Sequence, residues 1–442
     1  MQQWELRAAF AAQMADVYGR EVPAYTTLVD VCEEVNRDVL ARDGVAAQRL
    51  GSIRRVSAER HGAIRVGTPH ELSEVAQIFG ALGMHPVGYY DLRDAARSAV
   101  PVVSTAFRPI DEQELARNPF RMFTSMLVTD DRRFFSTDLQ ARLDAFLARR
   151  TLFSPDLLEL AAGSIAEHGL DHDDAEQFLK LAVEAFTLSS EPVDAAWYAE
   201  LEQVSSVAAD IGGVSSTHIN HLTPRVLDID DLYARMSSRG ITMIDAIQGP
   251  PRWDGPDVLL RQTSFRALAE PRRMRMASGE VVEGELRVRF GEVEARGIAL
   301  TSLGRDRYDS LVGQDAAGWS SALPTSELGL LADDLAYFTV SRGRAEVRRR
   351  GTVAELVADR VLDASPIVYE DFLPRSAAGI FQSNLTDEGI RDDGVAGTRR
   401  DAGWLSDVIG IELADPYELY AEQRDASVAA LPADVSAALL HR

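Results

Sequence analysis

The sequence predicts an α+β fold, in which strand–helix–strand modules build a central sheet and an additional helical region flanks it. Three observations predict this. A strand, a capped helix, a glycine and a second strand follow one another twice, over residues 60–92 and 218–247. Residues 135–210, between the two copies, carry apolar side chains at helical spacing, as in DLLELAAGSIAEHG and DAEQFLKLAVEAF. Two partly alternating stretches, VLLRQTSF at 258–265 and ELRVRFGEVEAR at 285–296, add strands to the second copy.

In the first copy, residues 60–66 form the strand. Thr68-Pro69-His70-Glu71 reads as a capping box with proline at the first helical position. Leu72, Val75, Ala76, Phe79 and Leu82 make the apolar stripe of the helix, Gly83 stops it, and residues 86–92 form the next strand. In the second copy the strand covers 218–223, Asp228 or Asp230 caps the helix, Gly240 stops it, and 241–247 is the next strand. Each first strand contains a histidine at the matching place, His61 and His221. The expected organisation is an N-terminal helical segment (1–54), a first metal-binding module (55–134), a helical insertion (135–210), a second metal-binding module (211–310) and a C-terminal helical region (311–442). The last contains a loop-like segment, YEDFLPRSAAGIFQSN, at 369–384.

The chain has 442 residues, 46% of them hydrophobic, enough for at least one large core. Its formal charge is −23, from 69 acidic against 46 basic residues. That surface repels phosphate backbones and anionic lipid, so neither nucleic acid nor membrane is an expected partner. An anionic substrate must meet a local basic site. A single cysteine, Cys32, excludes an intrachain disulfide and a cysteine-only metal cluster, and reads as a small buried residue. Trp4, Phe10, Met14 and Tyr18 give the chain start the face of a packed helix rather than of a secretory leader. No apolar run approaches the roughly 20 residues of a membrane span. A soluble, cytoplasmic protein is expected.

Two imidazoles and one carboxylate suit a divalent first-row metal. On one face, with the other positions open, they form the triad of non-haem Fe(II) oxygenases; zinc hydrolases use the same ligand types. Along LRVRFGEVEAR the even-numbered positions Leu286, Val288, Phe290, Glu292, Glu294 and Arg296 share a strand face. A carboxylate continuing an apolar face must be paired, ligated or near the wet end of the strand. Glu292 adjoins the apolar positions, and Glu294 has the option of pairing with Arg296. Parity alone does not separate the two glutamates. His218 and His221 have opposite parity, and His221 is preferred because it matches His61.

Each residue also has an ordinary reading. A strand histidine is most often a satisfied core or surface residue, a strand glutamate most often lies in solvent, and an arginine most often pairs at the surface. His70, His85, His168, His172 and His441 are read as structural or surface residues, with DHDDAE as a helix cap.

Arg65 stands four residues after His61 on the same strand, so period two puts both on one face. Their Cα atoms are about 13 Å apart at a rise of roughly 3.3 Å per residue. An extended arginine reaching back brings its guanidinium near the metal. This suits an elongated anion that chelates metal at one end and meets the guanidinium at the other.

The stretches HGAIR (61–65), NHLTPR (220–225), FGEVEARG (290–297) and YEDFLPRSAAGIFQSN (369–384) together resemble the 2-oxoadipate dioxygenase/decarboxylase family. That family belongs to the vicinal oxygen chelate superfamily and is distantly similar to 4-hydroxyphenylpyruvate dioxygenase. The resemblance implies βαβββ modules forming a curved sheet around Fe(II), with His61, His221 and Glu292 as ligands. It implies a substrate contact and catalytic role for Arg65, and makes Ser376, in a loop closing on the distal carboxylate, a substrate-binding candidate. Gln262 is a further substrate or supporting candidate. The implied reaction turns 2-oxoadipate and O2 into 2-hydroxyglutarate and CO2, as in lysine breakdown, with the substrate serving as its own 2-oxo acid. The ligand set by itself also permits a Zn, Ni or Mn hydrolase or isomerase of the same architecture, or a different 2-oxo acid.

Overall fold

The computed structural model describes residues 1–94, 99–267, 269–286, 289–373, 391–392 and 394–440. Helices α1 (Gln3–Glu21), α2 (Pro23–Asp43) and α3 (Ile53–Ala58) lead into β1 (Arg60–Val66). The capping box then forms as the sequence predicts. Thr68 accepts from the Glu71 amide at 3.1 Å, and the Glu71 carboxylate accepts from the Thr68 amide at 3.2 Å. Helix α4 (Pro69–Ala81) follows, and Gly83 takes the left-handed conformation (φ 66°) that turns the chain back.

The chain continues through β2 (His85–Asp91), β3 (Val102–Arg108), the short α5 (Glu112–Arg117) and β4 (Arg121–Leu127). Strand β4 lies parallel to β1, while β2–β3 and β3–β4 are antiparallel. The order β2-β3-β4-β1 makes this a complete βαβββ unit. The insertion is helical as expected: α6 (Thr137–Leu147), α7 (Pro155–Glu167), α8 (His172–Ala185), then a two-residue strand β5 (Val193–Asp194), α9 (Ala195–Glu202) and α10 (Ser206–Gly212). Asp171, in the DHDDAE run, caps α8 by accepting from the Asp174 amide.

Strand β6 (His221–Pro224) pairs antiparallel with β1, so the first strands of the two copies lie side by side. It is shorter than the predicted 218–223 and starts at His221. Asp228 caps α11 (Ile229–Ser238), and Gly240 (φ 79°) ends the turn behind it. The expected strand at 241–247 is not a continuous strand. It touches β7 (Leu260–Phe265) at one bridge, Met243 to Phe265, and a second bridge, Gln248 to Gln262, lies just beyond it. Pro250 and Pro251 follow at once and have no N–H with which to extend a ladder.

The stretch 285–296 is also not one strand. A hairpin, β8 (Glu270–Arg275) with β9 (Val281–Leu286), ends before β10 (Gly291–Arg296) begins. The even-numbered face therefore holds only within β10. Gly291 starts that strand because β10 runs very close to β7: a Cβ there would lie 1.8 Å from Phe265 Cε1. Strand β10 pairs antiparallel with β7 and meets the end of β6 through a parallel bridge, Arg225 to Glu294. The second copy thus repeats the first, with its first strand beside its last.

Alternation along β1 and β4 gives the sheet two faces. Ile64, Val66, Met122 and Met126 share a core with α1, α2, α4, α7 and α8. Ala63 and Phe123 face the other way, into a core with Phe290, Phe372 and side chains of α6, α9 and α10. Cys32 is buried in the first core, and burial pushes its thiol up to about 12.

The C-terminal region contains α12 (Ser302–Leu311), α13 (Ala316–Ala322), α14 (Glu327–Ala332), α15 (Val353–Ala358), α16 (Ala402–Ile409), α17 (Pro416–Ala429) and α18 (Ala433–Ser436). It also holds an antiparallel pair that the helical reading of this region did not include, β11 (Phe338–Arg342) with β12 (Leu362–Pro366). Among the described residues, no helix is long and apolar enough to cross a membrane.

Candidate metal centre

Three strands of the two copies converge on one point. β1 brings His61, β6 brings His221 and β10 brings Glu292. All three are buried, and one potential ligand atom from each lies within 4.8 Å of the others. His61 Nε2 is 3.6 Å from Glu292 Oε1, and His221 Nε2 is 3.7 Å from Glu292 Oε2. These separations are too long for hydrogen bonds, so both rings aim Nε2 at the carboxylate without satisfying it.

The other ring nitrogens each face a polar side chain. His61 Nδ1 is 3.2 Å from Glu294 Oε1, and His221 Nδ1 is 3.0 Å from Thr223 Oγ1. The contact with Thr223 holds the His221 ring, as the second nitrogen of a metal-bound histidine characteristically is held, while the Glu294 carboxylate faces His61 Nδ1 as an ion-pair neighbour without hydrogen-bond geometry. Glu294 and Thr223 each stand two residues beyond a triad member, on the same strand face. Glu294 is in turn gripped by Arg296, whose Nε donates to Oε1 at 2.6 Å and Nη2 to Oε2 at 3.0 Å. That pairing is the sequence option for Glu294, and it turns Glu294 away from the point where Glu292 faces Nε2 of both rings.

The electrostatics suit a cation. Burial pushes the Glu292 carboxyl up, because the His61 contact does not offset the loss of water. Burial, then the His61 ring and the Arg65 charge, push the His221 imidazole well below its ordinary value, so it stays neutral and its lone pair is available. Burial works against ionised Glu294, but Arg296 and His61 outweigh it and hold that carboxyl well below the usual range. Burial works against a charged His61, but Glu294 and Glu292 outweigh it and raise that imidazole, so the pocket favours a positive charge beside the two glutamates. Two imidazoles and one buried carboxylate are a donor set for one divalent first-row ion.

Aromatic side chains enclose the point. The Phe372 ring is edge-on to His61 at 5.0 Å between centroids, and Phe290 stacks on His221 at 5.3 Å. Behind β1, β4 and β10 lies a buried ion network. Glu59 sits 2.8 Å from Arg121 Nη2, 2.9 Å from Arg225 Nη1, 3.5 Å from Arg296 Nε and 3.7 Å from Arg55 Nε. Glu370, two residues before Phe372, bonds to Arg55 and Arg121. These contacts tie the strands that carry His61, His221 and Glu292 to the segment that follows β12.

The remaining sequence candidates are distributed as follows. His218 is not in the cluster: its Nε2 lies 3.4 Å from Asp210 Oδ1 and 3.2 Å from Asn220 Nδ2. Arg65 is buried on the His61 face of β1 and donates through Nη1 to Asp210. Gln262 is buried on β7 opposite Glu294, with its Nε2 3.5 Å from Gln248 Oε1. Ser376 and the rest of 374–384 lie outside the described residues. Sequence reasoning did not single out Asp210, Thr223, Glu59 or Phe372. Thr223 had a signal in its spacing from His221. Asp210 had none, because it reaches the site from a different element.

A family model described as 2-oxoadipate dioxygenase/decarboxylase matches residues 10–384. A protein of that name from Mycobacterium tuberculosis is 58% identical over 422 residues, covering 95% of this chain and 96% of the relative. The crystal structure of a hydroxyglutarate synthase in complex with 2-oxoadipate, from Pseudomonas putida, superposes with a TM-score of 0.82 at 36% identity, covering 97% of this chain and 98% of that one. A glyoxalase-superfamily protein from Ralstonia eutropha shares the fold at a TM-score of 0.51 and 20% identity, over 67% of this chain and 84% of that one.

Proposed function

The chain belongs to the 2-oxoadipate dioxygenase/decarboxylase family, and we propose that His61, His221 and Glu292 hold ferrous iron for that reaction in this chain. The activity is the conversion of 2-oxoadipate and O2 to 2-hydroxyglutarate and CO2. One observation carries the site assignment. Both histidines direct Nε2 at one buried carboxylate, while Thr223 bonds to Nδ1 of His221 and the Glu294 carboxylate faces Nδ1 of His61.

When bound, the metal supplies the Lewis acidity and the oxygen chemistry that no side chain provides. The protein's part is orientation and exclusion of water. Thr223 holds the His221 imidazole, and the Glu294 carboxylate faces that of His61. Phe372 and Phe290 line the two rings and keep the region dry. Arg65 contributes the buried positive charge that receives the second carboxylate of the substrate, on the same strand face as His61. Gln262, on the face shared with Glu294, and Ser376 complete the proposed substrate contacts. In a chain of net charge −23, that local cation sets where a dianionic 2-oxo acid is held.

The test is an oxygen-electrode assay on metal-free protein reloaded with either Fe(II) or Zn(II). With Fe(II) and 2-oxoadipate, O2 uptake and CO2 release are expected in equal amounts, and neither with Zn(II). Turnover of 2-oxoadipate under anaerobic conditions would overturn the oxygenase reading.

A further inference from the structure

Asp210 is carried by α10, a helix buried along nearly its whole length. Such a helix ordinarily turns apolar side chains inward, yet Asp210 brings in a carboxylate that is 5% exposed. A buried carboxylate persists only where it is paired and hydrogen-bonded. Three partners surround this one. Arg65 donates to Oδ2 through Nη1, Asn220 Nδ2 donates to the same oxygen at 2.8 Å, and His218 Nε2 lies 3.4 Å from Oδ1. Burial works against its charge, but its contacts with His218, Arg65 and Asn220 outweigh burial and hold the carboxyl below its ordinary value.

The position of these partners in the fold is the informative part. Arg65 lies on β1, four residues after His61, and Asn220 immediately precedes His221. Thr217 Oγ1 donates to the Arg65 carbonyl at 2.7 Å, which ties the approach to β6 to the far end of β1. Asp210 therefore binds the Arg65 guanidinium to the backbone segments that carry two of the three proposed ligands. An arginine has a long stem with many rotamers, and a fixed second contact removes most of that freedom. A guanidinium held at one place measures the span between metal and distal carboxylate. One that swings does not.

We propose that Asp210 is a positioning residue that sets substrate choice: it fixes Arg65 at the distance from the triad that suits a 2-oxo acid with a second carboxylate. This rests on the reading of Arg65 as the carboxylate clamp. Asp210 touches neither substrate nor metal in this role and acts through Arg65.

The test compares two acids of equal chain length, 2-oxoadipate and 2-oxohexanoate, which lacks the distal carboxylate. Dissociation constants are measured without oxygen, and KM and kcat with it, on the Fe(II)-loaded parent, Asp210→Asn and Arg65→Gln. Asparagine keeps the size of the side chain but loses the charge-assisted bond to Arg65. For Asp210→Asn the Kd and KM for 2-oxoadipate should rise about tenfold or more, with 2-oxohexanoate within about twofold of the parent and kcat little changed. A general structural loss would weaken both acids alike, and that parallel loss overturns the proposal, as does an unchanged or lowered KM for 2-oxoadipate. If Asp210→Asn fails to fold, Asp210→Glu decides, since it keeps the charge but moves the carboxylate by one methylene. A selective loss for 2-oxoadipate supports the proposal, and a parental ratio overturns it. If Arg65→Gln shifts the ratio of the two acids and the Asp210 variants do not, only this inference falls. If Arg65→Gln leaves the ratio unchanged, the clamp reading falls with it.

Discussion

His61 Nδ1 and Glu294 Oε1 are 3.2 Å apart, on the side of the ring opposite Glu292. The contact gives the two neighbouring glutamates of β10 different work. Glu292 faces both Nε2 atoms, and Glu294 places its charge behind the ring that presents one of them.

Glu294→Gln should therefore lower metal affinity without removing a ligand. Glutamine keeps the length of the side chain but removes the negative charge that faces Nδ1 and weakens the pairing with Arg296. Loss of such a supporting partner typically costs about 10–100-fold in metal affinity. Competition with a chelator of known affinity measures it. Parental affinity in the variant would show that the His61–Glu294 contact does not tune the site.

His221→Ala and His218→Ala separate the two histidines of β6 and its approach. His221→Ala should leave metal content near zero and abolish O2 uptake. His218→Ala should still bind one equivalent of metal, because the His218 ring faces Asp210. Elemental analysis of the purified variants decides. A metal-free His218→Ala with a full metal complement in His221→Ala would reverse the assignment.

Stability should fall between neutral and mildly acidic pH, in part through His218. Burial lowers its imidazole from 6.5 to about 4, with Arg289, Arg272 and Arg65 adding to the shift and Asp210 opposing it. The unfolded chain therefore binds more protons than the folded one between those values. The stabilising contribution is fully present above the unfolded value and declines as pH falls through the window. From pH 7 to pH 5 the loss amounts to about 2 kcal/mol. Urea unfolding at both pH values, on the parent and on His218→Gln, isolates it: the variant should lack most of that decline. An equal decline in both would assign it to other groups.

Glu59→Gln should destabilise the fold strongly. It removes the charge facing Arg55, Arg121, Arg225 and Arg296, and Glu59 is fully buried. Leaving such charges uncompensated costs about 3–5 kcal/mol. The shift in denaturant midpoint reads it, provided the slope stays parental. A change below about 1 kcal/mol would mean that Glu370 and Glu294 alone compensate the four arginines.

Local features of this chain were legible in its residues because they depend on residues within one or two turns. The Thr68–Glu71 box, the Asp228 cap, the positive-φ turns at Gly83 and Gly240, and the β1 strand all form as read. The matched placing of His61 and His221 could be read for the same reason, since it repeats a local pattern. Where a reading assumed that periodicity extends unbroken, the chain departed from it: 241–247 meets β7 at a single bridge, and 285–296 is cut before Gly291.

The choice between His218 and His221, and the separate positions of Glu292 and Glu294, come from pairing between distant strands. Antiparallel pairing sets His221 opposite Ala63 on β1, and the parallel bridge from Arg225 to Glu294 brings β10 alongside. Asp210 then arrives from α10 to take His218 and Arg65. Side-chain period tells which residues share a strand face. Which carboxylate meets which imidazole depends on the register between strands far apart in sequence, and burial of the whole sheet fixes that register.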